Sequence, residues 1–282
     1  MSVATGDRSM PIAQIVVGID HSDRSDKALR RANQIALFHD AKLAVQYALD
    51  VGAAERLRGL IERVALEEAV ERTAAVLGSD AASYAVDATA GRPFEVLRDK
   101  AKARDADLIV LGVHRRDTEL LRLSGSTARR LINVAPAPVL VVSNEPADGY
   151  KDVLVGFDDS EAAREALRCV GVLAPNAKIT IVTACMIPFS ARRAEAELIR
   201  QFESETRGMI EEALRDHGPR NVDLIVRAGE ALGVILDVQR ERKPDLLVLG
   251  TSMPALYRQV FGGGIVDEIA ADPPCDLLVV KT

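Results

Sequence analysis

The sequence predicts an α/β fold: two tandem domains, each a doubly wound, open parallel sheet of about five strands and four helices. Three observations predict it. Anchor segments recur at one fixed spacing, short β-branched apolar runs alternate with amphipathic helical stretches, and glycine and polar residues gather where the strands end.

The repeat sets the number of domains. "IVVGIDHS" (Ile15–Ser22) returns as "VLVGFDDS" (Val153–Ser160), and "DLIVLG" (Asp107–Gly112) returns as "DLLVLG" (Asp245–Gly250), each 138 residues on. Gly125 maps to Gly263 at the same offset, as does "PVLVV" (Pro138–Val142) to "CDLLVV" (Cys275–Val280), matched at its last residue. "AKL" at Ala41 and "AKI" at Ala177 lie 136 apart, so small length changes between anchors cancel. One offset held across four anchors marks a duplicated unit of about 140 residues. The expected domains are 1–145 and 150–282, with "SNEPADGY" (Ser143–Tyr150) as the linker.

The elements of the first unit follow in order. "IAQIVVGID" and "KLAVQYALD" are strands by their apolar, β-branched content. Between them Ala28, Leu29, Ala32, Ile35 and Ala36 fall at helical spacing, with Ser22 or Asp23 as the cap. A long helix from about Ala53 to Leu77 comes next, then the strand "SYAVDAT", a helix opened by "GRPF", and the strand "DLIVLG". A polar loop, a helix over about Thr127–Asn133 and the strand "PVLVV" close the unit, and the second half repeats the order. Alternating strands and helices require a parallel sheet covered on both faces, with right-handed crossovers. Such sheets take ligands beyond the carboxyl ends of their strands, where strand order reverses. Asp20, Gly112 and the loop after it all lie at carboxyl ends.

Composition narrows the function. A chain of 282 residues with 48% hydrophobic content buries a sizeable core. No apolar run approaches the roughly 18 residues of a membrane span, and "MSVATGDRSM" lacks the apolar core of a secretory signal. Cys169, Cys185 and Cys275 show no metal-ligand spacing and fit buried thiols in a reducing cytoplasm. A net charge of −6 argues against nucleic acid or a membrane surface as partner. It leaves room for one small basic pocket.

The segment Leu111–Arg130, "LGVHRRDTELLRLSGSTARR", follows the fourth strand with Gly112-x2-Arg115-x9-Gly125-Ser126, the spacing of a Gly-x2-Gly-x9-Gly-Ser/Thr pattern with its second glycine replaced. This resembles the nucleotide-binding signature of the universal stress protein family. "VVGIDHSDRSDKAL", "GRPFEVLRDKAKARDADLIVLGVH" and "GSTARRLINVAPAPVLVV" resemble other parts of that family, and the likeness runs through both halves. The chain is similar to a tandem universal stress protein. The resemblance implies a Rossmann-like fold of the adenine nucleotide alpha hydrolase type, a stress-response role and ATP, with Mg2+, as ligand. It also implies ribose hydroxyls on Asp20 and adenine against main chain near Ala48. Finally, it implies pairing of the two units through their last strands.

The residues support a phosphate site on physical grounds. Gly112, able to take φ > 0, would turn the chain sharply and let backbone approach a ligand. Gly125, Ser126 and Thr127 open a helix, where free N–H groups, two hydroxyls and the dipole converge. His114 and Arg115 complete the expected set. Arg115 stands where the signature has its second glycine. A left-handed conformation costs a non-glycine residue about 1–2 kcal/mol, about tenfold in affinity. A guanidinium offsets this by binding phosphate. In the second half Met253 takes that position and Gly263-Gly264 replace glycine-hydroxyl, so the second site is degenerate.

Plainer explanations stand beside these. Gly112 and Gly250 serve equally for a strand-to-loop turn, Ser126 or Thr127 for a helix cap, and Asp20 for fixing the next helix. Arg115 and Arg116 also read as solvated loop residues. His21 and His114 have no metal-ligand companions, so no metal is assigned, and "FGGGIV" (Phe261–Val266) lacks the Walker lysine and hydroxyl. No nucleophile–base pair is visible, so no catalytic residue is assigned and an enzyme is not expected. The readings that compete are an adenine-nucleotide-binding module, a ligand-free protein–protein scaffold and, last, a slow nucleotide hydrolase. The halves are expected to form an internal pseudo-dimer, with a homodimer beyond it left open.

Overall fold

The computed structural model describes residues 12–49, 55–78, 84–113, 127–215, 222–252 and 264–282. The first half runs β1 (Gln14–Ile19), α1 (Asp23–His39), β2 (Lys42–Leu49), α2 (Arg58–Leu77), β3 (Ala85–Ala90), α3 (Pro93–Ala103), β4 (Leu108–Gly112), α4 (Thr127–Val134) and β5 (Val139–Val142). The second runs β6 (Asp152–Gly156), α5 (Glu161–Leu173), β7 (Lys178–Cys185), α6 (Glu195–Leu214), β8 (Val222–Ala228), α7 (Ala231–Arg242), β9 (Leu246–Thr251), α8 (Ile265–Ala271) and β10 (Asp276–Lys281).

Local chemistry accounts for the helix ends. Ser22, extended at φ −86° and ψ 158°, accepts from the Ser25 N–H and starts α1, and Asp40 ends it in the left-handed region at φ 55°. Ser160 does the same for α5 by accepting from Ala163. Pro93 opens α3, where a missing N–H goes unpunished. The helix expected from about Ala53 begins at Arg58, after a single 3-10 turn over Glu55–Leu57; no side chain caps it. Ala53 lies outside the described residues.

The strands form one ten-stranded sheet in the order β3-β2-β1-β4-β5-β10-β9-β6-β7-β8. Every pairing is parallel except β5 with β10, which are antiparallel with Leu140 opposite Leu278. The two units therefore join through their last strands, as an internal pseudo-dimer. Within the first unit, order reverses between β1 and β4, the switch point where a crevice opens. Two apolar layers cover the sheet. Ile15, Val17, Val110 and Val155 pack under α1, α2, α5 and α6, and Val16, Ile109, Leu111 and Leu247 pack under α3, α4, α7 and α8. Buried on both faces, the central strands read as continuous apolar runs rather than alternating ones.

The repeated aspartates of "DLIVLG" and "DLLVLG" have a structural task. Asp107 Oδ2 accepts from the Ala13 and Gln14 N–H groups at 2.8 and 2.9 Å, seating the start of β1. Asp245 accepts from Lys151 and Asp152 at 2.7 and 3.2 Å and seats β6 in the same way.

Candidate functional site

A cleft of about 230 Å³ lies at the switch point of the first half. Its floor is the carboxyl end of the sheet: Gly18 and Asp20 after β1, Gln46 and Ala48 of β2, Leu111 and Gly112 of β4. Its walls are the start of α1 (Ser22, Arg24, Ser25), α3 (Pro93, Leu97) and Thr127 at the start of α4. Gly18 stands beside Gln46 in the register, and Leu97 takes the place of its missing side chain, since a Cβ there would sit 2.8 Å from Leu97 Cδ1.

Of the residues expected at the site, Asp20, Ala48, Gly112 and Thr127 converge on this cleft. His114, Arg115, Gly125 and Ser126 lie outside the described residues. Asp20 is exposed at the mouth, and its Oδ1 accepts from the Ser22 N–H at 3.1 Å and from the Ser22 hydroxyl. Burial pushes the Asp20 carboxyl up, but the hydrogen bonds from Ser22 and Ser25 and the charge of Arg24 outweigh it. The group is held below the usual carboxylate range. Asp20 thus presents a carboxylate at neutral pH and also steadies the serine that caps α1. Of the roles read from the sequence, the fixing of the next helix is the one seen here, through Ser22.

Gly112 requires a correction. It is the last residue of a regular strand and is absent from the residues with positive φ. A Cβ there would sit 2.5 Å from the Arg24 carbonyl oxygen and 2.7 Å from its carbon. The glycine is needed because the backbone of α1 presses against the strand, not because the chain turns left-handed. Gly250 meets Ala162 and Ala163 in the same manner, its Cβ position only 2.4 Å from the Ala162 carbonyl carbon. The left-handed residue near the site is instead His21, at φ 60°, with its ring edge-on to Tyr47 at 4.3 Å between centroids. Asp159 repeats that conformation in the second half at φ 59°.

The second half keeps the cleft and changes its lining. About 330 Å³ opens beside Asp158, Thr183, Ala184, Gly250 and Ile265, with Phe202 and Met209 of α6 on one side. Asp158 Oδ1 accepts from the Ser160 N–H and hydroxyl at 3.1 and 2.6 Å, as Asp20 does from Ser22. Where the first half has Gln46 and Thr127, the second has Val182 and Ile265.

Gln46 is the site residue that the sequence reading passed over. It is 1% exposed, and its side-chain amide donates to the Tyr47 and Asp87 carbonyls and to the Thr89 hydroxyl. The signal was present: a lone amide inside the apolar run "KLAVQYALD", matched in the repeat by valine.

No group of three or more His, Cys, Asp and Glu among the described residues is arranged to hold a metal ion. No helix among them is long and apolar enough to cross a membrane.

Comparison with known proteins returns one family. The model of the Universal stress protein family matches residues 11–143 and again residues 149–281. A universal stress protein from Archaeoglobus fulgidus DSM 4304 has a similar structure, with a TM-score of 0.69 at 14% identity over 96% of this chain and 97% of that one. A functionally unknown protein from Pseudomonas aeruginosa PAO1 is also similar, with a TM-score of 0.63 at 18% identity over 96% of this chain and 92% of that one. A Staphylococcus epidermidis relative assigned to the same family is 29% identical over 143 residues, 47% of this chain and 85% of its own length.

Proposed function

The chain belongs to the universal stress protein family, in two tandem copies, and on that premise we propose that it is a stress-response regulator whose first half binds ATP. The observation that carries the reading is the first-half cleft, where Asp20, Ala48 and Thr127 meet at the switch point of the sheet. β2, β1 and β4 are consecutive neighbours, so the cleft spans two inter-strand spacings, about 9–10 Å. That width takes a nucleotide laid across the strand ends: base over β2, ribose over β1 and phosphates toward α4.

Each part of such a ligand meets suitable chemistry. The Asp20 carboxylate accepts from ribose hydroxyls. Thr127 brings a hydroxyl to the start of a helix, where the dipole and unpaired N–H groups favour phosphate. The triphosphate brings its own Mg2+. The second half, with Val182 and Ile265 in place of amide and hydroxyl, is read as a degenerate copy. The reading is of binding and signalling rather than turnover, in a cytoplasmic protein.

Calorimetric titration of the nucleotide-stripped protein with ATP and Mg2+ tests it. One site per chain is expected. Two sites would reinstate the second-half cleft, and no heat at millimolar ATP would overturn the reading in favour of a ligand-free scaffold.

A further inference from the structure

The second half keeps the cleft of the first but reverses the charge around it. At the 138-residue offset, Arg24 of α1 becomes Ala162, and Arg129 and Arg130 of α4 become Asp267 and Glu268 of α8. Asp267 is buried and faces Arg129 across the joint at 3.8 Å, while Glu268 is exposed. Acids in the first turn of a helix already answer its positive end, so an incoming anion gains less there. Among the described residues the lining of the second cleft includes three carboxylates, Asp158, Asp159 and Glu205, and no Lys, Arg or His. Asp159 is paired with Arg164 at 2.5 Å. Asp158 is hydrogen-bonded to Ser160 and Glu205 to the Gln201 amide, neutral donors that leave both negative charges uncancelled. The phosphates of a nucleotide would meet repulsion here.

Much of the remaining lining is apolar. Phe157, Val182, Phe202, Met209 and Ile265 border a space of about 330 Å³, within the range of about 300–1,000 Å³ that small ligands occupy. The space lies at the switch point of the second unit, between β6 and β9. It is open to solvent: Met209 is 37% exposed, and Asp158 and Glu205 are exposed. Burial draws in an apolar body. The two carboxylates and the faces of Phe157 and Phe202 attract a positive charge. An uncharged ligand would desolvate the carboxylates without giving them a partner.

We propose that the second-half cleft is a binding site for a small organic cation, a protonated amine carried on an apolar body. The inference is separate from the nucleotide reading, which concerns the first half. On it the duplicated unit supplies two clefts of opposite charge preference, one for a phosphate-bearing ligand and one for an amine.

Calorimetric titration of the full chain with 4-phenylbutylamine and, separately, with 4-phenylbutyrate tests it, since the two probes share an apolar body and carry opposite charges. The amine is expected to bind once per chain and about tenfold or more tightly than the carboxylate. In NMR of methionine methyl groups the Met209 signal should move with the amine, which locates the site. Asp158→Asn combined with Glu205→Lys changes two exposed positions, and Asn keeps an acceptor for Ser160. The double variant should lose about tenfold or more in amine affinity and narrow the gap between the probes. Equal affinity for both probes, no saturable amine binding, or a Met209 signal that stays in place would each overturn the inference. So would undiminished amine binding in the folded double variant. The amine titration contains no nucleotide, so it decides the matter whether or not the first half binds ATP.

Discussion

At the scale of single residues, burial determines what each polar or reactive group can do. The cysteines show this clearly. Burial, reinforced by Glu165, pushes the Cys169 thiol up to about 12. Burial, reinforced by Asp276, pushes the Cys275 thiol up to about 12 as well. Cys185 is raised, again mainly by burial. An ordinary thiol titrates near about 8.5, so at pH 8 the native protein holds about a thousandfold less thiolate at Cys169 and Cys275. Iodoacetamide at pH 8 should therefore modify the buried Cys275 only after unfolding, and the half-buried Cys169 much more slowly in the native than in the urea-treated protein, which mass spectrometry would show. Rapid native alkylation would contradict the burial. The sign for stability follows. The folded state holds these protons more tightly than the unfolded chain, so the contribution is fully present below the ordinary thiol range. It is lost as pH climbs from there through about 12.

Helices and strands meet through contacts that leave little slack. The N-terminal turn of α1 lies against the end of β4, and Gly112 is the residue that permits it. Gly112→Ala would drive a methyl group into the Arg24 carbonyl, a backbone atom that cannot rotate away. A loss of about 1–3 kcal/mol in urea unfolding is expected, typical of overpacking, and it should appear with or without nucleotide. A variant as stable as the parent but weaker for ATP would restore a ligand-facing role to this glycine. Elsewhere α2 is tied to α1 by Arg72, whose Nε donates to Asp26 Oδ1 at 3.0 Å. β5 and β10 pair antiparallel, so the strand that would be each unit's open edge is covered by its counterpart.

Across the whole molecule, the two halves repeat one fold but join asymmetrically. On one side of the pseudo-axis, Asp276 accepts from the Ser143 and Asn144 N–H groups at 2.9 and 3.0 Å and from the Tyr150 hydroxyl at 2.8 Å. Arg31 approaches the same carboxylate at 3.6 Å and stacks over the Tyr150 ring at 4.2 Å. The residues at the matching places in the repeat are Pro138, Ile12 and Cys169, which line an open cavity of about 630 Å³. The buried acid thus holds the second half's last strand to the segment that connects the halves, whereas Pro138, at the matching position, has no side-chain acceptor to do the same on the other side. Asp276→Ala should cost about 3–5 kcal/mol in urea unfolding, because it takes the carboxylate away from the buried Arg31 and the buried Tyr150 hydroxyl. A change within about 0.5 kcal/mol, the scale of ordinary surface substitutions, would show that the cluster contributes nothing to the joint.

What the sequence by itself determined was whatever repeats or has a local period. The duplicated anchors named two units, strand and helix periodicity named the parallel sheet, and counting along the chain placed Asp20 and Gly112 at its carboxyl ends and Thr127 at a helix start, while Ala48 came from the family resemblance. A cap at Ser22 or Asp23 was expected from the start of the helical run, and the structure makes it Ser22. Only the tertiary structure decided what depends on atoms from distant segments. Gly112 answers to the backbone of Arg24, 88 residues away in the chain. Gln46 has its amide nitrogen fixed by β3 while its oxygen is buried without a hydrogen-bond partner among the described residues. Asp276 gathers Ser143, Asn144, Tyr150 and Arg31 from across the joint. Periodicity reports which face a residue occupies. It carries no information about which backbone or side chain packs against that face, because burial, close approach and unmet hydrogen bonds exist only once the strands have been brought together.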